Sequence, residues 1–320
     1  MIQLSPSAMA VFKTCRRQYW LRYLRKLAPH PAYEKQTGPA PLGTRVHLAL
    51  EGWYAHGLDP LAVVDAVYDL ACDDHPFHED DLRKEQDWAR IMVAGYVQWA
   101  AREGFDEVAR VIEVEQVVQE PLDVPGDEPV LMTGRIDQLV QRWQDGGICV
   151  LDHKTLGSMS KADNLDQNEQ MLTYALLMSL RLKREPIGEH RRVSGAYFNM
   201  ILRSKRTARA AGPFYRRDYT SYNVHQLNGM WTRLHEEAAQ VAQMARRIEA
   251  GQDPRAVAYP TPGTHCDWCP FQRVCPLFDD GSRAEDMVSA QFVEADPWGY
   301  RTTGTMDRVR AMLGPRSDER

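Results

Sequence analysis

The spacing of apolar side chains changes along the chain between a helical and an alternating pattern. Ser5 and Pro6 predict the start of a helix that contains Cys15 and continues to about Leu24, because serine caps a first turn and proline suits it. Helical spacing predicts further helices over residues 44–54, 60–72, 80–103, 165–182 and 223–250. Runs rich in β-branched residues predict strands over residues 108–118, 130–143, 148–153, 193–202 and 214–220.

The order of these elements predicts an α/β fold. Helices come first, three strands follow, and a helix, two strands and a long helix complete the order, which favours a central mixed β-sheet flanked by helices. We expect one domain over residues 1–280, with a helical lobe at residues 44–104 and a cysteine-bearing loop at residues 260–280. Residues 281–320 are polar and weakly periodic, which predicts a loosely ordered tail.

The composition is that of a globular protein with a sizeable core. Hydrophobic residues make up 43% of the 320 residues and include eight tryptophans. No apolar run approaches the roughly 18–20 residues that a membrane span needs, and the first residues do not resemble a signal peptide, so we expect a cytoplasmic protein without a membrane partner. Disulfides are uncommon in that compartment. The six cysteines are therefore interpreted as metal ligands or, for Cys72 and Cys149, as core residues.

The charged side chains are unevenly distributed along the chain. The net charge of −5 argues only weakly against a nucleic-acid partner, because local basic surfaces still attract phosphates. Two segments contain basic residues and no acid: Lys13, Arg16, Arg17, Arg22, Arg25 and Lys26 in the first, and Arg203, Lys205, Arg206, Arg209, Arg216 and Arg217 in the second. Phosphate binding and an ordinary solvated surface both explain this pattern. We expect the loop at residues 203–209 to hold phosphates without reading bases.

Two strands carry charged residues where apolar ones are expected. Asp152 and Lys154 share one strand face, because side chains alternate along a strand, and Asp137 interrupts the preceding strand. If these strands are antiparallel neighbours joined by the turn at residues 144–147, the two carboxylates converge. Carboxylates suit Mg²⁺ or Mn²⁺, which lowers the pKa of bound water, and the lysine can position that water or neutralise developing charge. A buried Asp–Lys salt bridge is the alternative.

Three further residues are candidates for the same site. Gln170 and Tyr174 lie four residues apart on a predicted helix and therefore on one face. His47 lies on an earlier predicted helix, where a single histidine is more often structural than a ligand.

Four of the cysteines have the spacing of a metal site. Cys266, Cys269 and Cys275 form a C-x2-C-x5-C pattern, and Cys15 is the candidate for the fourth ligand. Four thiolates hold either zinc or a [4Fe–4S] cluster, and the spacing leaves both open. In either case the site would tie the N-terminal helix to the C-terminal loop.

Together, these motifs resemble the RecB-type branch of the PD-(D/E)XK nucleases. The resemblance lies in the order and spacing of Gly43-x3-His47, Gly134-x2-Asp137, Asp152-x-Lys154 and Gln170-x3-Tyr174. The flanking cysteines make the chain similar to the iron–sulfur members, which include the CRISPR-associated exonuclease family, the AddB nuclease domain and the mitochondrial exonuclease V type. The resemblance covers residues 5 to about 280, and the tail has no counterpart.

The resemblance implies a role for each of these residues. His47, Asp137, Asp152 and the main-chain carbonyl of His153 would be metal ligands, and Lys154 would be the catalytic lysine. Gln170 and Tyr174 would orient Lys154 or the substrate strand, and the cysteines would hold a [4Fe–4S] cluster rather than zinc. Many relatives have Glu at the position of Asp152. Some also carry an acid on the preceding strand, which leaves Glu113 and Glu115 as open candidates.

The sequence therefore predicts a metal-dependent DNA nuclease, an exonuclease acting on single-stranded ends. A DNA-binding or adaptor protein on a nuclease fold is the alternative, and a zinc-stabilised scaffold is a third interpretation. The intact set of Asp137, Asp152 and Lys154 favours the enzyme. The chain contains no G-x4-G-K-[ST] motif, so any unwinding would come from a partner such as a helicase or a recombination or CRISPR protein.

Overall fold

Helices and strands alternate through the computed structural model, which describes residues 1–126, 129–159, 165–206, 209–298 and 304–314, without the side chains of residues 106 and 107. The strands are β1 (Ile2–Leu4), β2 (Leu27–Pro29), β3 (Ala109–Leu122), β4 (Val130–Arg142), β5 (Ile148–Leu156), β6 (Gly195–Leu202), β7 (Tyr215–Ser221) and β8 (Phe292–Glu294). The α-helices are α1 (Pro6–Thr14), α2 (Arg16–Tyr19), α3 (Pro39–His56), α4 (Pro60–Asp74), α5 (Glu79–Glu103), α6 (Phe105–Val108), α7 (Glu169–Arg184), α8 (Val224–Glu249), α9 (Pro254–Val257), α10 (Ala284–Gln291) and α11 (Thr305–Leu313).

The chain folds into two compact units, each built from separate stretches of sequence. The cysteine unit comprises Met1–Glu34, Gln119–Gly134 and Asn228–Thr302, and the sheet unit comprises Lys35–Val118, Arg135–Leu227 and Thr303–Arg320. The first is named for Cys15 and the three cysteines of the C-x2-C-x5-C pattern. The second is named for its β-sheet. The single domain predicted over residues 1–280 stays a prediction.

The sheet unit is organised around β5. This strand pairs antiparallel with β4 and parallel with β6, and β7 pairs antiparallel with β6. Helices α3 and α7 contact β5, while α5 and α7 contact β6. The sheet is therefore mixed and flanked by helices, which confirms the predicted α/β fold class. The apolar run Ile148–Leu151 is buried because this strand lies between two others and under helices.

Helices α3, α4 and α5 share one apolar core, and the helical lobe over residues 44–104 stays a prediction. Side chains such as Val46, Val64 and Tyr96 are fully buried in this core, and Cys72 also lies in it, as predicted. Helix α11 adds Met306 and Val309 to the same core. The described residues after 280 thus include the regular elements α10, β8 and α11, although the sequence predicted a loosely ordered tail there.

In the cysteine unit, the predicted first helix is interrupted at Cys15. Ser5 caps α1 as expected, but Cys15 has extended backbone angles (φ −158°, ψ 111°) between α1 and α2, and a π-helical turn follows over Trp20–Leu24. The prediction of a continuous helix was therefore wrong. The reason is tertiary, because the buried Arg17 donates to the carbonyl of Ala258 at 2.7 Å and fixes the second segment separately.

Within the same unit, short strands complete the structure. β1 pairs in parallel with residues 130–132 of β4, and β2 pairs antiparallel with β8.

None of the helices in the described part of the chain combines the length and the apolar character that crossing a membrane requires.

Candidate active site

The predicted carboxylate and amine lie together near the end of β5. Asp152 is buried, and the ammonium of Lys154 lies 2.9 Å from its Oδ2. This contact is an ion pair without hydrogen-bond geometry, because that buried oxygen has no hydrogen-bond partner among the described residues. Both side chains project from one face of the strand, as the alternation of a strand requires.

Asp137 on β4 converges on the same point, as predicted. The antiparallel register pairs Gln138 with Leu151, so Asp137 lies one position further along, opposite Asp152. Its Oδ2 accepts a hydrogen bond from the main-chain N–H of His153 at 2.7 Å. The carboxylate is buried next to a backbone donor, which offsets part of the cost of removing it from water.

Helix α3 brings His47 to this pair. Its Nδ1 lies 3.4 Å from Oδ2 of Asp137, and about a third of its side chain remains exposed. The approach depends on Gly43, because a Cβ at that position would lie 2.8 Å from Oγ1 of Thr155 on β5. The glycine one turn before the histidine therefore allows the helix to pack closely on the strand.

Gln170 and Tyr174 lie on one face of α7, as predicted. Oε1 of Gln170 accepts a hydrogen bond from Lys154 at 2.8 Å, and its Nε2 donates to the hydroxyl of Tyr174 at 2.9 Å. The amide therefore has one oriented bond at each end, which holds the lysine beside Asp152.

The electrostatics separate the two carboxylates. Burial raises the pKa of Asp152, with Lys154 opposing and the charge of Asp137 reinforcing the shift. Burial would also raise the pKa of Asp137, but the charge of His47 and the hydrogen bond with it hold this pKa well below its usual range. Burial lowers the pKa of His47, yet the charge and hydrogen bond of Asp137 outweigh it and raise this pKa to about 9. Each carboxylate thus lies beside one cation, His47 for Asp137 and Lys154 for Asp152.

The side chain of His153 belongs to a separate polar cluster that the sequence did not reveal. Nδ2 of Asn199 lies 3.2 Å from its Nδ1 and 2.5 Å from the hydroxyl of Tyr96, and Arg217 donates to Oδ1 of Asn199 at 2.6 Å. Burial lowers the pKa of His153 to about 3, so this imidazole is neutral. The one available signal was the polar Asn199 within the apolar strand β6.

Glu113 and Glu115, the two acidic residues of β3 that the sequence left as open candidates for the site, have different surroundings. Both carboxylate oxygens of Glu113 accept hydrogen bonds from Arg181, at 2.6 Å each. Glu115 instead pairs with Arg135 and is electrostatically coupled to Asp137 and to Glu51 of α3. Of the two candidates, only Glu115 is coupled to the predicted site, and Glu51 was not singled out from the sequence.

The donor set suits a hard divalent cation with few protein ligands. No group of three or more His, Cys, Asp or Glu side chains in the described residues is positioned to enclose a metal ion. Mg²⁺ usually keeps several waters and uses only one or two carboxylates, so an enclosing group is not required. The buried Oδ2 of Asp152 lies opposite Asp137 and has no hydrogen-bond partner among the described residues besides its ion pair with Lys154, which fits that mode of binding.

In the cysteine unit, the four predicted thiols line a single cavity of about 520 Å³, formed by Cys15, Cys266, Cys269 and Cys275 together with Arg17 and His265. Burial raises the pKa of Cys275 to about 11, Arg17 opposes this, and the neighbouring Cys15 and Cys269 add to it. NH1 of Arg17 and Nε2 of His265 are buried without a hydrogen-bond partner among the described residues. The cavity therefore combines thiols that disfavour one another's ionisation with two buried polar groups that have no hydrogen-bond partner among the described residues.

The comparison with protein families identifies the class of protein to which the chain belongs. The family model of the PD-(D/E)XK nuclease superfamily matches residues 3–276, so the chain belongs to this superfamily and is a nuclease by family. Its members generally use divalent metals such as Mg²⁺ or Mn²⁺.

Solved structures with a similar fold are distant from this chain. The crystal structure of SSO0001 is 15% identical and covers 67% of this chain and 84% of its own, with a TM-score of 0.31. The crystal structure of a "Putative exonuclease" from Eubacterium rectale is 12% identical and covers 85% of this chain and 88% of its own, with a TM-score of 0.47. Neither structure carries a functional argument at this level of similarity. No curated protein matches the sequence significantly.

Proposed function

We propose that this chain is a divalent-metal-dependent deoxyribonuclease that degrades DNA from single-stranded ends. The observation that carries the proposal is the convergence of Asp137, Asp152 and Lys154 within the sheet unit. A buried Asp–Lys salt bridge alone would not require the second buried carboxylate, which costs free energy unless a cation or a reaction uses it.

In this proposal, Asp137, Asp152, His47 and the main-chain carbonyl of His153 hold Mg²⁺ or Mn²⁺. The ion, when bound, activates a water molecule and stabilises negative charge on the scissile phosphate. His47 and Asp137 orient each other through their contact. Binding of the ion would replace this contact, because His47 must release its proton to become a ligand.

Lys154 supplies the positive charge beside the carboxylates. The ammonium donates a hydrogen bond to Gln170, and the amide of Gln170 donates one to the hydroxyl of Tyr174. These two bonds hold the ammonium in one place. A fixed ammonium at this position could orient the attacking water and offset the charge that develops on phosphate oxygens. We therefore assign Lys154 as the catalytic lysine, and Gln170 as its positioning residue.

The choice of DNA with single-stranded ends rests on the resemblance to RecB-type exonucleases. The basic segments at residues 13–26 and 203–217 supply groups that bind phosphates without reading sequence. The P-loop motif is absent from the sequence, so unwinding of duplex DNA would be the task of a partner such as a helicase or another recombination or CRISPR protein.

For the cysteine unit we propose a [4Fe–4S] cluster held by Cys15, Cys266, Cys269 and Cys275, with zinc as the alternative. Support comes from the four thiols around one cavity and from the unpartnered donors of Arg17 and His265 that line it. The bound centre would fix α1 and α2 to the C-terminal loop, which is a structural role.

The test uses linear and circular single-stranded DNA of the same sequence with Mg²⁺ or Mn²⁺. We expect linear DNA to be degraded to short products, circular DNA to persist, and an excess of EDTA to stop the reaction. The linear substrate carries its label at the 5′ end in one sample and at the 3′ end in another, which gives the polarity. DNA binding without cleavage of either substrate would favour the adaptor alternative, and cleavage of the circle would contradict the exonuclease assignment.

A further inference from the structure

The candidate active site has an arginine on β4 beside its metal-binding carboxylates. Arg135 precedes Asp137 by two residues, so both side chains project from the same strand face. Helix α3 faces them with two residues one turn apart: His47 contacts Asp137, and Oε2 of Glu51 lies 3.6 Å from NH2 of Arg135. The helix and the strand thus form two adjacent pairs, one histidine–aspartate and one glutamate–arginine.

A second glutamate reaches the same guanidinium from β3. Glu115 forms an ion pair and a hydrogen bond with Nε of Arg135. Its backbone is left-handed, with φ at +53°, which is unusual for a residue other than glycine within a strand. Such a conformation persists only where the surrounding structure holds it, and it commonly marks a functional position.

The guanidinium balances three carboxylates that disfavour one another's ionisation. Burial raises the pKa of Glu115 to about 7 and Asp137 adds to the shift, whereas Arg135 opposes it. Burial also raises the pKa of Glu51, again with Arg135 opposing and Asp137 reinforcing. The side chains of Glu51 and Glu115 are each at least 85% buried, so water screens these charges poorly.

We infer that Arg135 is a built-in cation that takes the place a second divalent ion would need beside Asp137, so that this nuclease works with one metal ion. The inference rests on the proposed function, since it concerns how that site is charged. Two-metal nucleases set their ions about 3.5–4 Å apart and share carboxylates between them. Glu51 and Glu115 are the carboxylates available for a second ion here, and both already contact a guanidinium that is always protonated.

The experiment counts Mn²⁺ ions bound per chain, by the loss of the free-ion electron paramagnetic resonance signal and by titration calorimetry, without DNA. The wild type is expected to bind one ion. Arg135→Lys keeps the charge and should also bind one ion, whereas Arg135→Met frees the carboxylates and should bind two. Two ions on the wild type, or one ion of unchanged affinity on Arg135→Met, would overturn the inference.

A substitution in the wild-type background keeps the test independent of how well Arg135→Met folds. Glu51→Gln should leave the count at one, because Glu51 binds Arg135 and no metal in this account. A fall in the count on Glu51→Gln would show that Glu51 is a metal ligand and would refute the inference. Asp152→Asn locates the single ion. If this variant binds no Mn²⁺, the ion of the wild type lies at the proposed site.

The two proposals fail in different ways. If Asp152→Asn still cleaves DNA, the proposed active site is wrong. If Asp152→Asn is inactive but the wild type binds two ions, the site is right and only the role of Arg135 is wrong.

Discussion

At the scale of single residues, the amine of Lys154 is held by two neighbours of different character. Asp152 supplies charge at 2.9 Å, and Gln170 supplies a directed acceptor at 2.8 Å. The ion pair holds the amine beside the carboxylate, while the amide determines where the amine points. The second effect matters more for catalysis, because a charge displaced by about 1 Å stabilises a transition state far less.

Replacing Gln170 should therefore slow DNA cleavage without weakening DNA binding. We expect Gln170→Leu to lower the rate about 10- to 100-fold, the usual effect of removing a group that orients a catalytic residue. Tyr174→Phe removes only the hydroxyl that accepts from Gln170 and should have a smaller effect. Single-turnover cleavage rates and DNA affinity in EDTA measure the two quantities separately. Equal rates for Gln170→Leu and the wild type would remove Gln170 from the site.

The pair of His47 and Asp137 predicts a pH dependence of stability for the metal-free protein. The pKa of His47 is raised from 6.5 to about 9 in the folded state. Because the folded state binds this proton more tightly than the unfolded state, His47 contributes its full stabilisation below pH 6.5. This stabilisation is lost as the pH rises through about 9. The depressed pKa of Asp137 acts only at acid pH and does not enter this window.

The measurement compares the free energy of unfolding of the wild type and His47→Asn in EDTA between pH 6 and pH 10 (roughly the titration range of the pair). We expect the wild type to lose its advantage over His47→Asn as the pH rises. His225→Asn, at an exposed position on α8, serves as the control substitution. A difference that is constant or grows with pH would contradict the assigned charge state of His47.

At the scale of elements, the basic loop between β6 and β7 contains two kinds of cation. Lys205 and Arg209 are exposed. The amine of Lys205 lies 5.7 Å from the ring centroid of Trp88. Arg206 is less exposed and lies 4.6 Å from the ring centroid of Tyr215, and a Cβ on Gly95 of α5 would collide with its guanidinium. The loop was predicted to hold phosphates as a whole, but Arg206 packs against the helical lobe.

The loop therefore predicts separate effects on DNA binding and on stability. The double variant Lys205→Gln and Arg209→Gln should reduce the slope of log affinity against log salt by about 0.7 for each phosphate that the protein no longer neutralises. Arg206→Gln should destabilise the protein by about 0.5–2 kcal/mol, because the guanidinium would no longer pack on an aromatic ring. The double variant Lys84→Gln and Arg283→Gln removes two other exposed positive charges as a control. An unchanged slope in the loop variant would point to the basic segment at residues 13–26.

The sheet register explains which parts of the site could be predicted from the sequence. A strand has only two faces, so Asp152 and Lys154 had to share one, and a short turn had to place Asp137 opposite. Gln170 and Tyr174 followed from helical spacing in the same way. The pairs Arg135–Glu51 and Asn199–His153 join residues 84 and 46 positions apart. Local periodicity does not predict how a helix docks on a strand, so these pairs required the fold.

At the scale of the whole molecule, the cysteine unit brings the N-terminal segment to the C-terminal loop. Cys15 is separated from Cys266 by 251 positions, yet both line one cavity. The extended conformation at Cys15 was not predictable from its helical surroundings, because contacts of Arg17 with Ala258 and Asp279 impose it. A bound centre would add to these contacts and stabilise the unit.

Removing Cys15 should release the metal as completely as removing Cys269. We expect the purified protein to contain iron and sulfide and to absorb visible light broadly. Cys15→Ser and Cys269→Ser should both lose the iron and the absorbance, whereas Cys72→Ser, in the core of the sheet unit, should retain them. A colourless protein with stoichiometric zinc would contradict the iron–sulfur cluster and support the zinc alternative. Full metal content in Cys15→Ser would exclude Cys15 as the fourth ligand.

The central claim is that Asp152, with Asp137 and Lys154, forms a metal-dependent site that hydrolyses DNA. The most direct measurement is the rate of cleavage of end-labelled single-stranded DNA with Mg²⁺ by the wild type and by Asp152→Asn. DNA affinity in EDTA and thermal unfolding are compared for the same two proteins. The account predicts a loss of ~10²-fold or more in rate, with DNA affinity and folding preserved. Cleavage by Asp152→Asn at close to the wild-type rate would contradict the account.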